Sequence, residues 1–221
     1  MNSYRIIDLS HTLLPGQEQY GLEVAQRGAK REGPDGDIMS DVFLWSHVGT
    51  HVEAPLHFFS TGKDVAALPV EAFIGPALRL DLRHKETNEP ITVDDLRAAG
   101  PVAVGDRVIL WEGRDRLYRQ KGSHDRPYVT EEAAEWLIKD RRIRLLGTDS
   151  SGFEVRGGGK HHPNHRLFFS NDVPVIECLR NLGAIPTDRF FLVALPWAVQ
   201  GLDASPIRAI AVDGIPLPDQ P

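Results

Sequence analysis

The stretch "WSHVGTHVEAPLHF", residues 45–58, holds three histidines and one glutamate among apolar neighbours. His47, His51, Glu53 and His57 all occupy odd positions, whereas the even positions between them carry Val, Thr, Ala and Leu. In an extended chain, successive side chains point to opposite faces, so this alternation separates a donor-rich face from a mostly apolar one. The stretch therefore predicts an extended segment that presents several lone pairs on one side.

A helix would also align two of these histidines, because His47 and His51 are four residues apart. Gly49, the β-branched residues beside it and Pro55 all disfavour a helix at this place. We therefore expect an extended segment that ends in a turn near Pro55. Alternate residues of a strand lie roughly 6–7 Å apart, so local bending must bring His47, His51 and Glu53 together if they bind one ion.

The donor types indicate which ions could bind. Imidazole and carboxylate groups suit Zn²⁺, Mn²⁺ or Fe²⁺ in an open catalytic site rather than in a sealed structural one. The single cysteine, Cys178, permits neither a thiolate cage nor an internal disulfide. Solvated loop histidines are the alternative interpretation, and for a single histidine that interpretation is the more common case. Because His47, His51, Glu53 and His57 share one face, metal binding is favoured.

The overall composition excludes several classes of protein. A chain of 221 residues builds one substantial core or at most two small ones. The net charge of −6 and the lack of a stripe rich in lysine and arginine argue against a nucleic-acid-binding protein. No apolar stretch approaches the roughly 20 residues that span a bilayer, and the N-terminus lacks the features of a secretory signal. We expect a cytoplasmic protein with neither nucleic-acid nor membrane partners.

Periodicity and capping residues predict the helices and strands. Helices are predicted at residues 92–100 and 130–142, each with a threonine at its N-terminal cap, and a short helix is predicted within residues 162–172. The predicted strands are residues 5–10, 76–83, 106–111, 143–149, 173–179, 189–196 and 205–212.

The N-terminal region and the domain organisation follow from the same survey. Residues 15–38, rich in Gly, Glu and Pro, predict a long loop, and residues 11–40 as a whole are interpreted as an N-terminal arm or loop. The alternating leucines of residues 76–83 predict a half-buried strand. Because strands and helices mix without strict alternation, we expect a single α/β domain over residues 1–221, built on a mixed sheet.

Two residues far downstream are further candidates. Glu177 lies in the apolar segment "VPVIECL", where a buried carboxylate is costly unless it is paired, hydrogen-bonded or bound to metal. An edge strand with Glu177 facing water explains the same segment equally well. His165 lies on the short helix predicted just before that strand, and taken alone it is interpreted as an ordinary helix histidine.

Several motifs together resemble one known family. The segment "HVGTHVEAPLH" resembles the H-x-G-T-H-x-D-x-P-x-H signature of the cyclase-like metal-dependent hydrolases, which include bacterial kynurenine formamidase and isatin hydrolase. The resemblance covers most of the chain, because it continues in "RIIDLSH", "LLGTDSSG", "HRLFFSNDVPVIECLRNLGAIP" and "LDASPIRAIAV". It implies a mixed α/β fold of the swivelling β/β/α type, assembled as a homodimer or homotetramer.

The resemblance also implies roles for individual residues. It places His47, His51 and Glu53 where the family has its first metal ligands, with the carboxylate able to bridge a second ion. It identifies His165 and Glu177 as the downstream ligands, so that one or two Zn or Mn ions are expected per chain. His57 matches the histidine that acts as general base and acid. The family signature has aspartate where this chain has Glu53, which is one methylene longer.

The expected reaction is hydrolysis of a C–N amide bond by metal-bound hydroxide, with His57 moving the protons. The expected substrate is a small-molecule amide, either an N-formyl aryl amide such as N-formylkynurenine or a cyclic amide such as isatin. A metal-dependent cyclase or lyase, and a non-catalytic metal-stabilised binding protein, are the alternatives. A serine hydrolase is rejected because "GTDSSGF" lacks the glycine spacing of a nucleophile elbow. Trp45, Phe58 and Trp197 are interpreted as core residues, and no substrate-binding residue is predicted.

Overall fold

The computed structural model describes residues 4–27, 39–157 and 161–217. Its helices are α1 (Val93–Ala99), α2 (Glu131–Glu135) and α3 (Pro163–Ser170). Its strands are β1 (Arg5–Asp8), β2 (Leu22–Arg27), β3 (Met39–Leu44), β4 (His51–Glu53), β5 (Ile74–Asp81), β6 (Pro90–Ile91), β7 (Arg107–Trp111), β8 (Tyr128–Val129), β9 (Leu145–Thr148), β10 (Val175–Glu177), β11 (Arg189–Val193), β12 (Ala204–Pro206) and β13 (Ile210–Asp213).

Helices form at all three predicted places. The hydroxyl of Thr92 caps α1 by accepting a hydrogen bond from the backbone N–H of Asp95, and Thr130 caps α2 in the same way through Ala133. Beyond α2 the chain continues as a π-helical turn, Trp136–Asp140, so the predicted helix is regular only in its first half. Over the three described ranges, none of the helices has the length and apolar character needed to cross a membrane.

Nine of the described strands form one sheet in the order β1-β13-β11-β5-β7-β9-β10-β4-β12, whereas β2 pairs with β3 and β6 with β8 in two small separate sheets. The central strands β5, β7, β9 and β10 are parallel to their neighbours in that group. The strands on either side of the group pair antiparallel. The predicted α/β fold with a mixed sheet is therefore confirmed.

Apolar side chains cover both faces of this sheet. On β7, Ile109 belongs to one buried cluster, whereas Val108 and Leu110 belong to a second cluster that includes the residues of the helices. Alternate residues of a strand point to opposite faces, so each face has its own core. For the same reason β5 is buried on both sides at residues 77–80, and the prediction of a half-buried strand there is wrong.

The prediction of a single strand over residues 205–212 is wrong. This segment contains β12, which pairs with β4 at one edge of the sheet, and β13, which lies between β1 and β11 near the other edge. Between them, the backbone N–H of Ile207 donates to the carbonyl of Thr50 and that of Ala209 donates to the hydroxyl of Ser10. Local alternation is the same in both strands, so only the long-range pairing separates them.

The N-terminal arm contains regular structure that the loop prediction missed. β2 lies inside residues 15–38 and pairs antiparallel with β3, with Leu22 opposite Leu44. The hairpin forms its own two-stranded sheet, and Val42 and Phe43 on it are exposed. Residues 28–38 of the predicted loop lie outside the described residues. A strand without a buried face lacks the apolar pattern that identifies a strand in a sequence.

The site depends on where β10 lies. This strand is flanked by β9 on one side and by β4 on the other. The alternative interpretation, in which Glu177 faces water from an edge strand, is therefore wrong. In the antiparallel register, Glu177 stands directly opposite His51, and residues directly opposite each other on neighbouring strands have adjacent side chains. The fold thus joins the signature segment to a donor more than a hundred residues away.

Candidate metal centre

The signature segment bends twice instead of running straight. Only His51–Glu53 forms a strand, residues 46–50 form a turn before it, and Pro55–His57 forms a 3-10 helix after it. Gly49 allows the first bend, because its φ of +69° is a conformation that other residues rarely adopt. The predicted turn near Pro55 is present, whereas the predicted extended form holds only for the middle of the segment.

These bends bring the donors of the segment together. The Nδ1 atom of His47 lies 3.0 Å from Oε1 of Glu53 and 3.3 Å from Nε2 of His51. The Nε2 atom of His51 is 3.5 Å from the same Glu53 oxygen. His51 and Glu53 are 2% and 4% exposed, so this cluster lies at the bottom of the site and away from solvent.

The two downstream residues complete the cluster from the other side. His165, on α3, has its Nε2 atom 3.5 Å from Oε2 of Glu53 and 3.6 Å from Oε1 of Glu177. The other oxygen of Glu177 is 3.9 Å from Nε2 of His51. The Glu53 carboxylate therefore stands between two groups of donors, with one oxygen facing each group.

Hydrogen bonds behind the donors orient two of the imidazoles. Nδ1–H of His51 donates to the carbonyl of Gly49 over 2.8 Å, and Nδ1–H of His165 donates to Oε1 of Glu154 over 3.1 Å. In both rings Nε2 is then the atom that faces the cluster, as in metal-binding histidines whose second nitrogen donates to an oxygen. Sequence reasoning missed Glu154, although its position in "GFEVR" just after a shared motif was a usable signal.

The carboxylates of the cluster favour positive charge on two of its histidines. Burial opposes protonation of His47, but hydrogen bonds to Asp203 and Glu53 outweigh burial and raise its pKa to about 10. Burial likewise opposes protonation of His165, yet hydrogen bonds to Glu154 and Glu177 raise its pKa to about 9. Neighbouring carboxylates therefore hold protons on imidazoles that would otherwise lose them near neutral pH. A divalent cation can replace those protons, since metal binding releases them from its ligands.

One buried atom tests whether the donors suit an ion. Oε2 of Glu53 is buried and accepts no hydrogen bond from the described residues. A buried carboxylate oxygen without a partner is costly, and an ion between Glu53, His165 and Glu177 would satisfy it. One ligand atom each from His51, Glu53 and Glu177 lies within 4.8 Å of the others, a span that one ion can bridge. The donors present therefore fit Zn²⁺ or Mn²⁺.

His57 lies beside this cluster and makes a contact of a different kind. It ends the 3-10 helix, its side chain is 31% exposed, and its ring centroid is 4.4 Å from that of His47. Its Nδ1 atom is 2.9 Å from Oδ2 of Asp203, which also lies 3.0 Å from Nε2 of His47. Hydrogen bonds from His47 and His57 hold the pKa of Asp203 well below its usual range. Sequence reasoning did not select Asp203, although it stands in the shared motif "LDASPIRAIAV".

A cavity of about 370 Å³ opens above the donors. Trp45, at its mouth, is 55% exposed, and Trp197 elsewhere on the surface is 53% exposed, so the interpretation of both as core residues is wrong. Phe58 is partly buried and stacks on His165, with ring centroids 5.3 Å apart. Exposure of a tryptophan depends on what the fold packs against it, which local sequence does not encode. The walls of the cavity further include Tyr20, Tyr118, Ser123, His124 and Ser151.

The N-terminal arm closes one side of the cavity through a short chain of hydrogen bonds. Ser151 donates its hydroxyl to the carbonyl of Ser123, and Nδ1 of His124 lies 2.9 Å from the Ser151 oxygen. Because that hydroxyl is already used as a donor, Nδ1–H of His124 donates to it and Nε2 is left as an acceptor. Nε2 receives the side-chain amide of Gln19 over 2.6 Å. The arm is thus tied to the opposite wall.

Comparisons with known proteins agree with this architecture. The model of the Cyclase family, described as "Putative cyclase", matches residues 7–155. A kynurenine formamidase of Sphingopyxis alaskensis is 32% identical over 223 residues, covering 93% of this chain and 97% of the relative. A kynurenine formamidase of Erythrobacter litoralis is 30% identical over 212 residues, covering 93% of each chain. Isatin hydrolase A of Labrenzia aggregata has a TM-score of 0.81 at 25% identity, covering 96% of this chain and 94% of its own. This chain therefore belongs to the Cyclase family and is a cyclase-like hydrolase.

Proposed function

We propose that this protein is a metal-dependent amidohydrolase that cleaves a C–N bond in an N-formyl aryl amide or a small cyclic amide. One observation carries the proposal. Five nitrogen and oxygen donors from β4 and its turn, α3 and β10 meet at the floor of a cavity, and His57 stands beside them without being enclosed. Structural sites are closed by their ligands, whereas catalytic sites leave a position open towards the substrate.

The residues that would hold the metal fall into two groups. His47 and His51 form one group, His165 and Glu177 form the other, and Glu53 has one oxygen facing each. This arrangement supports one or two Zn or Mn ions per chain. When bound, a divalent cation polarises a carbonyl oxygen and makes water more acidic.

His57 would move the protons of the reaction. Its Nδ1 atom faces Asp203, so Nε2 is the nitrogen left to accept the proton of the attacking water and to return it to the leaving nitrogen. General acid–base help of this kind contributes roughly 10²–10⁴ in rate. His57→Ala should therefore lose about that factor in kcat while the metal stays bound.

The cavity supports a flat aromatic substrate. Tyr20 and Trp45 both line the cavity, with their ring centroids 5.9 Å apart. A volume of about 370 Å³ is in the range of pockets for small ligands. Relatives named kynurenine formamidase and isatin hydrolase support an aryl amide as the substrate class.

Assembly and location belong to the same proposal. Exposed apolar residues on the β2–β3 hairpin, with Val42 54% and Phe43 60% exposed, support a homodimer or homotetramer in which a second copy covers this hairpin. A lone buried cysteine, Cys178, suits the reducing cytoplasm, which we propose as the location. A small-molecule amide is the only partner that we propose besides further copies of the chain.

The test combines metal analysis with a hydrolysis assay. Purified protein is assayed on N-formylkynurenine, formanilide and isatin as isolated, after chelation, and after Zn or Mn is added back. We expect turnover that chelation abolishes and added metal restores. Metal-dependent melting without turnover on any of these amides would contradict the proposal and favour a metal-stabilised binding protein.

A matched pair of variants tests the role of His57. His57→Ala should lose turnover with unchanged metal content, whereas His84→Ala, at an exposed histidine outside the site, should behave as the parent protein. Glu53→Ala or His51→Ala should instead empty the site. Hydrolysis by His57→Ala at the parent rate would show that another group moves the proton.

A further inference from the structure

Asp203 is held at the site by the backbone as well as by its side chain. It immediately precedes β12, whose first residue, Ala204, stands opposite Glu53 in the sheet. The carbonyl of Asp203 accepts the backbone N–H of Ala54 over 2.9 Å. The sheet therefore fixes this residue beside the point where β4 leads into the 3-10 helix that carries His57.

The carboxylate of Asp203 makes three contacts with the signature segment. Oδ2 lies 2.9 Å from Nδ1 of His57 and 3.0 Å from Nε2 of His47. Oδ1 accepts the hydroxyl hydrogen of Ser46 over 2.9 Å. Both oxygens are thus engaged, and all three partners lie on the turn or the 3-10 helix that flank β4.

These contacts decide which nitrogen of each ring carries a hydrogen. An ionised carboxylate only accepts hydrogen bonds, so each ring nitrogen that faces it must be the protonated one. His57 then carries its hydrogen on Nδ1 and presents Nε2 as a lone pair. His47 carries a hydrogen on Nε2, so a bound cation would have to take the place of the hydrogen on its Nδ1, which faces Glu53 and His51 at 3.0 Å and 3.3 Å.

We propose that Asp203 is the positioning residue of the reaction, a single carboxylate that sets the tautomer and ring orientation of both the proton-transfer histidine His57 and the ligand His47. The inference rests on the proposed amidohydrolase function and adds to it a residue outside the donor set. An aspartate that holds a general-base histidine in the correct tautomer can account for a large part of the rate. One that supports a ligand histidine is worth 10–100-fold in metal affinity or activity.

The kinetic test is a double-mutant cycle at saturating metal, with the metal content of each protein measured. We expect Asp203→Asn to lower kcat by about 10- to 1,000-fold with KM changed less than threefold, because a neutral amide accepts hydrogen bonds more weakly than a carboxylate and no longer holds both rings in one tautomer. In the His57→Ala background the same substitution should lower kcat several-fold less, because only the contact with the ligand His47 remains to be lost. An equal loss in both backgrounds would overturn the proposal.

Control variants separate this role from general damage. Asp172→Asn removes an aspartate whose partner, Lys63, is also exposed, so kcat should stay at the parent value. Ser46→Ala removes only the hydrogen bond to Oδ1 and leaves both histidine contacts in place, so its loss should be below threefold. A Ser46→Ala loss as large as that of Asp203→Asn would show that the acid merely supports the turn.

A spectroscopic measurement tests the tautomer without any substrate. In zinc-loaded protein with ¹⁵N-labelled histidine, the ring signals of His57 are those missing from His57→Ala. We expect a protonated Nδ1 and an unprotonated Nε2, and loss of this preference in Asp203→Asn. A parent protein that carries the His57 hydrogen on Nε2 would overturn the proposal even if Asp203→Asn failed to fold. If the parent protein hydrolyses no amide, the amidohydrolase function is refuted. If the parent protein is active but Asp203→Asn changes neither kcat nor the ring signals of His57, only the role of Asp203 is refuted.

Discussion

The turn that carries His47 into the site depends on a glycine. Gly49 has a φ of +69°, and a Cβ added there would clash with the side chain of Leu13. Placing an L-residue in the left-handed region costs about 1–2 kcal/mol. Displacing the partly buried Leu13 side chain to make room for the extra carbon costs a further 1–3 kcal/mol, roughly. We therefore expect Gly49→Ala to lower the free energy of unfolding by about 2–5 kcal/mol.

Gly16 provides the matched control for this substitution. Its φ is +76°, but a Cβ there would meet no atom within 4 Å. Gly16→Ala should therefore show only the conformational cost, about 1–2 kcal/mol. In a Leu13→Ala background, Gly49→Ala should fall to the same cost, because the clashing side chain is gone.

The assay is urea unfolding of the metal-free proteins, followed by tryptophan fluorescence, with stability taken from the midpoint at unchanged slope. Equal losses for Gly49→Ala and Gly16→Ala would refute the packing argument, as would a Leu13→Ala background that gives no relief. Gly49→Ala should also weaken metal binding, because the carbonyl of residue 49 orients His51. Zinc affinity measured against a competing chelator should then fall by about tenfold or more.

Three further outcomes are expected. Glu154→Gln leaves Nδ1–H of His165 without its carboxylate acceptor, so metal affinity should fall by about 10–100-fold in a chelator competition. An unchanged affinity would contradict the role given to Glu154. Burial, with the charge of Asp149, raises the pKa of Glu112 to about 8. This acid therefore favours the folded state below its unfolded pKa of about 4.5 and costs stability as pH rises towards 8. Glu112→Gln should accordingly gain stability relative to the parent between pH 5 and 8 in urea unfolding, and parallel pH profiles would refute this. Trp45→Ala should raise KM for an aryl amide several-fold, because Trp45 lines the cavity, and should shift the melting temperature little, because Trp45 is exposed. An unchanged KM would show that Trp45 does not contact the substrate.

Local signals predicted the elements that have a strong local cause. Threonine caps identified the starts of α1 and α2, and apolar runs identified the central strands. The hairpin strand β2 was missed because its side chains are mostly exposed and carry no apolar alternation. Residues 205–212 were predicted as one strand because both β12 and β13 have the same local pattern. Which sheet edge each strand joins depends on partners that are distant in the chain.

Within the site, the donors were visible in the sequence and their supports were not. His47, His51 and Glu53 stand in one recognisable signature, whereas Glu154 and Asp203 act only through rings that the fold brings to them. In the amino-acid sequence, an acidic residue on a surface loop cannot be distinguished from an acidic residue that hydrogen-bonds to a metal ligand. Their contacts distinguish them, and contacts exist only in the folded chain.

The amino-acid sequence alone determined the chemistry available to this protein, because side-chain type and spacing are local properties that survive in any conformation. It set the imidazole and carboxylate donors, excluded a thiolate cage and an internal disulfide, and indicated the family. The tertiary structure decided the rest. The pairing of β10 with β4 placed Glu177 opposite His51, and the pairing of β12 with β4 placed Asp203 beside His57. These distances depend on hydrogen bonds between segments separated by more than a hundred residues, which no local pattern encodes.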